Sequence, residues 1–123
     1  MKILFSTLFL IATSYCFGQK LNYSGATYTS NDTTLKDRYS DDSGTLDIQI
    51  ANSRILKTTK GVNVTSIWKI LKARNINEHV TEYQLESMNS RGEYQHFSAT
   101  YDSFYLKFIT KTDYGSIIFR IEP

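Results

Sequence analysis

The chain has 123 residues, 41% of them hydrophobic, with 14 basic against 12 acidic residues. That length allows one domain with a modest core and excludes two. A formal net charge of +2 excludes a global polyanion binder, and a single cysteine excludes a disulfide framework.

Residues 1–18 carry Lys2, an apolar run from Ile3 to Ala12, and Gly18 as a small residue at a cut site. This is the pattern of a secretory signal peptide, and the run is shorter than the roughly 20 apolar residues a membrane span needs. Cleavage after Gly18 is expected to release a secreted or periplasmic chain that starts at Gln19 and has no transmembrane segment. Cys16 leaves with the leader. Tyr15 stands where a lipidation motif has a small residue, so ordinary cleavage is preferred.

The stretch Cys16-Phe17-Gly18-Gln19-Lys20 resembles the leader ends of exported Bacteroidota proteins, where Gln often follows the cut. The rest resembles the short, exported, β-rich proteins of those bacteria. That resemblance implies export and a β fold, and it brings no functional residues with it.

Residues 19–44 are expected to form a polar N-terminal arm. Between 20 and 44, sixteen of twenty-five residues are Ser, Thr, Asn, Asp or Gly. Such a composition cannot build a core alone, although one short strand near Gly25 to Thr29 is expected. Asp41-Asp42-Ser43-Gly44 is a turn cluster.

From Thr45 the period becomes two. Leu46, Ile48 and Ile50 alternate with Asp47 and Gln49, which predicts a half-buried strand. Ile55 to Thr59 and Val62 to Val64 read as further short strands, separated by Lys60-Gly61. Ser66 to Arg74 fits a helical face through Ile67, Ile70, Leu71 and Arg74, and a strand through Trp68, Ile70 and Lys72. Strand is preferred, because nine residues are short for a helix and no capping box follows Ser66.

Val80 to Met88 and Tyr94 to Ala99 predict a hairpin turning at Asn89-Ser90-Arg91-Gly92. A last hairpin follows, with Phe104, Leu106 and Phe108 alternating before the Asp113-Tyr114-Gly115 turn, then Ile117, Phe119 and Ile121 after it. The fold class is mainly β: a single antiparallel meander of about seven strands over residues 45–123, closed as a small barrel or folded as a sandwich. Short connections exclude parallel crossovers.

Two surfaces are candidate sites. Residues 54–77 hold six basic and no acidic residues, so Arg54, Lys57, Lys60, Lys69, Lys72 and Arg74 form a candidate anion-binding block. The last hairpin also carries apolar groups on its second face, making Tyr105, Ile109 and Ile118 a candidate contact face. The bland readings are a solvated basic face and a face covered by the N-terminal arm. Catalytic residues do not converge: His96, Ser98 and Asp102 lack a nucleophile elbow or an oxyanion loop, so no enzyme is expected. Asp32, Asp37, Asp41 and Asp42 match no calcium loop, and neither metal nor cofactor is expected.

The sequence therefore points to an exported binding protein whose partner is an envelope protein, a polysaccharide or an anionic lipid, with nucleic acid disfavoured. The alternative is a structural or protein-interaction protein, of inhibitor or immunity type, without a small ligand.

Overall fold

The computed structural model describes residues 18–123; the expected leader, apart from Gly18, lies outside the described residues. Nine strands follow in order: β1 Gln19–Ser30, β2 Arg38–Ser40, β3 Gly44–Gln49, β4 Arg54–Thr59, β5 Thr65–Asn75, β6 Val80–Met88, β7 Tyr94–Asp102, β8 Lys107–Thr112 and β9 Gly115–Ile121. A single 3₁₀ turn, Ile50–Asn52, joins β3 to β4. Every pairing is antiparallel. Neighbours in sequence pair from β3 through β9, and β9 returns to β1, so eight strands close a barrel with β2 added beside β1. Of the two architectures open in the sequence, the barrel is the one formed. Closure leaves few backbone groups on open edges.

β1 performs the closure. Its first half, Gln19 to Tyr23, pairs with β3, and Tyr23 to Ser30 pairs with β9 across a bulge between Tyr23 and Ala26. β2 takes the flank that β3 leaves free, along Ala26 to Tyr28. Where an extended arm with one short strand is expected, the chain builds the longest strand of the barrel. Tyr23 fixes the junction: its hydroxyl donates to the Thr58 carbonyl at 2.9 Å and lies 3.0 Å from the Thr59 hydroxyl. Gly44 leaves the room, since a Cβ there would run into the Thr58 carbonyl and stand 2.6 Å from the Tyr23 hydroxyl.

The core lies inside the barrel. Phe108, Leu46, Ile48, Ile55 and Leu85 are fully buried, with Tyr83, Tyr101, Phe119 and Ile121 nearly so. Directly opposed residues of an antiparallel ladder share a face. One interior row therefore runs from Arg38 through Tyr28, Ile117, Thr110, Ala99 and Tyr83 to Ala73, linking the two open ends of the barrel.

Three local outcomes refine the expectations. β5 is a strand, and its helix-like spacing has a cause: a bulge between Ile70 and Lys72 inserts one residue into a two-residue period. Val62 to Val64 belong to the connection rather than to a strand, because the hairpin register pairs Thr58 with Thr65 and leaves the residues between them to the loop. Phe104 and Leu106 precede β8 instead of lying in it. The Asp102 carboxylate accepts the amides of Phe104 and Tyr105 at 2.9 and 3.1 Å, Leu106 takes a left-handed φ of 55°, and Phe104 ends up exposed.

Burial pushes the Tyr83 phenol up to about 12, with Tyr101 adding to the effect; burial, then Asp102, raises Tyr101 as well. The folded chain thus holds a proton that the unfolded chain, with Tyr near 10, gives up first. Stability is full below pH 10 and falls as pH rises toward 12, by about 2–3 kcal/mol for Tyr83. Urea midpoints at pH 9 and pH 12 are expected to drop less for Tyr83→Phe than for the wild type; an equal drop would contradict the assignment.

Candidate functional site

Strand parity divides the basic block. Arg54 and Lys69 are opposed across β4 and β5, with Lys72 and Arg74 further along the outer face of β5. Lys57 has the parity of buried Ile55, so it faces the interior, with Nζ 5.8 Å from the centre of the Phe119 ring. Lys60 sits in the turn after β4, where its amide donates to the Ser43 carbonyl. Carboxylates from β6 also enter the outer face. Glu86 lies opposite Lys69, and Glu82 lies opposite Arg74 and pairs with it at 3.3 Å. The block is interrupted rather than continuous, since its six cations occupy the wall, the interior and a turn.

The apolar contact face is partly assembled. Ile109 and Ile118 are directly opposed on the outer wall, half-buried, and Ile118 lies opposite Thr27 of β1. Tyr105 is in the turn before β8 and two-thirds exposed. Tyr105 and Ile118 share a surface groove of about 440 Å³ with Tyr39 and Arg120, while Ile109 lies outside it. N-terminal residues thus supply part of the cover over this face. Phe104 and Tyr105 pack edge to face at 4.9 Å, forming an exposed aromatic pair.

The sequence gives no sign of a cavity at the barrel mouth where β1 begins, β3 ends, and β5 and β6 meet. It measures about 380 Å³ and is walled by Ile48, Ile50, Ala73 and Tyr83, with Gln19, Asn75 and Thr81 supplying amide and hydroxyl groups. Its origin is structural. β4 pairs with β5 only up to Lys69, so the β5–β6 hairpin runs on without a β4 neighbour, and small inward residues, Ala73 and Thr81, stop short of filling the end. Apolar walls with a few polar groups at one end are the usual composition of a small-molecule site, and the volume lies within the common range. Tyr83 stands among these groups as a neutral phenol at all physiological pH values.

The histidines are committed elsewhere. His96 Nε2 lies 2.8 Å from the Glu86 carboxylate, and Asp102, six residues along the same strand and therefore about 20 Å away, caps the turn before β8. Asp32 accepts the hydroxyl and then the amide of Thr34, which hold its carboxyl below the ordinary value. Among the described residues no three His, Cys, Asp or Glu side chains gather around a metal-sized space. No described helix is long and apolar enough to cross a membrane. No protein-family model, curated protein or solved structure matches this chain.

Proposed function

We propose that this barrel is an exported small-ligand binding module of the cell envelope or the extracellular space, holding an uncharged, mainly apolar molecule in the mouth between β1, β3, β5 and β6. The observation that carries the reading is the cavity itself: a packed interior that ends below an open recess of about 380 Å³ with apolar walls and polar groups from Gln19, Asn75 and Thr81. The leader pattern supports export.

Ala73 tests the reading because it lines the recess and is exposed, so a larger side chain there fills the site without entering the core. The neutral fluorophore N-phenyl-1-naphthylamine is expected to brighten on binding the wild type. Ala73→Trp is expected to weaken that binding by at least about tenfold with an unchanged melting temperature, since displacing most of a buried ligand costs more than 1.4 kcal/mol. Equal binding by the two proteins would sink the proposal.

The exposed Phe104–Tyr105 pair favours a second reading, docking of a protein partner at the turn before β8. In that case Ala73→Trp leaves partner binding intact.

A further inference from the structure

The opposite mouth carries a larger cavity of about 550 Å³, formed where β1 ends, the 31–37 loop crosses, and the β8–β9 hairpin turns. Its electrostatics differ from those of the first mouth. Lys36 and Arg38 line it and no Asp or Glu does. Register puts Arg38 on the interior side, since Arg38 opposes Tyr28, Tyr28 opposes Ile117, and Ile117 opposes Thr110. The ion pairs among the described residues, Arg74–Glu82, His79–Glu78 and His96–Glu86, involve neither cation. Asp37 lies between them in sequence without lining the cavity, and the Asp32 carboxylate is engaged with Thr34.

The rim is held in place. The Asn31 amide donates to the Tyr114 carbonyl at 2.9 Å, and its side-chain Nδ2 donates to the Asp113 carbonyl at 2.7 Å, which ties the loop to the hairpin. Deeper in, Thr110 is 4% exposed and is the polar residue of the buried set. Ser30 and Thr112 also line the cavity, the Ser30 hydroxyl accepting the Asp32 amide and the Thr112 hydroxyl donating to the Gly115 carbonyl while it accepts the Tyr114 amide, and Tyr28 and Tyr114 add exposed rings.

From this combination we infer that the second mouth binds an acidic saccharide, a hexuronate or a glycan end that carries one. Two unpaired cations suit a carboxylate, and the planar guanidinium of Arg38 can bind it through two parallel N–H donors. Side-chain hydroxyls exchange hydrogen bonds with sugar hydroxyls, and flat tyrosine rings pack against the apolar face of a pyranose.

Calorimetric titration of the intact protein tests it, with glucuronate, glucose and inorganic phosphate as probes. Saturable glucuronate binding is expected, weakening as salt screens the cations, with glucose at least about tenfold weaker because it lacks the charge. Lys36→Ala/Arg38→Ala alters exposed side chains and is expected to reduce glucuronate affinity at least about tenfold while binding of N-phenyl-1-naphthylamine persists. Thr110→Val, nearly isosteric, is expected to reduce affinity by about fivefold through loss of one hydrogen bond. Absence of glucuronate binding overturns the inference, as does equal affinity in the double variant. Phosphate binding as tightly as glucuronate overturns the saccharide assignment.

Discussion

Phe108→Ala is expected to lower the unfolding free energy by about 3–5 kcal/mol, the usual cost of emptying a fully buried phenylalanine site. The side chain is 0% exposed. Its ring lies 6.3 Å from Trp68, 6.4 Å from Tyr83, 6.5 Å from Tyr101 and 6.3 Å from Phe119, so four aromatic neighbours lose a partner together. These neighbours come from four strands spread around the barrel, which limits how far any one can collapse into the void. Domains of this size have roughly 5–15 kcal/mol in total, so the variant is expected to melt more than about 10 °C lower. Phe104→Ala is the control: that ring is exposed, and its removal is expected to change stability by less than about 0.5 kcal/mol. Equal melting shifts in the two variants would contradict the placement of Phe108 at the centre.

Leu21→Asp is the second large effect, with an expected loss of at least about 3 kcal/mol from burying an unpaired carboxylate or forcing its protonation. Leu21 is 7% exposed and lies opposite Leu46, which is fully buried. In a loose polar arm the same change would be nearly neutral, so urea denaturation of this one variant separates a closing strand from an arm. Amide exchange gives the same test without mutation. Strand residues 20–29 are expected to exchange as slowly as those of β8 and β9, and fast exchange there would contradict closure through β1.

Sequence pattern was most legible where burial contrast is strong. Leu46 and Ile48 in β3, Tyr83 and Leu85 in β6, and Phe119 and Ile121 in β9 alternate with more exposed neighbours, and period two located each of these strands. β1 escaped because its signal is long-range. After the bulge its interior positions carry Ala26 and Tyr28 amid hydroxyl residues, and its place is set by partners about a hundred positions away, as in Tyr23 with Ile121. The division of the basic block between faces was hidden for a related reason. Ile55 and Leu56 are both apolar, so the sequence does not say which face of β4 is interior, and hence which of Arg54 and Lys57, three residues apart and so on opposite faces, points inward. Neither mouth was legible. Both combine apolar and polar residues from distant segments that only register brings together, and such residues look like ordinary loop and strand-end chemistry until the ladder is known.

The most direct test of the account is native mass spectrometry of the protein isolated from its own producing cells, wild type beside Ala73→Trp. The account predicts a small-molecule adduct on the wild type that denaturation releases and that the tryptophan variant lacks. The bare polypeptide mass in both proteins would contradict it.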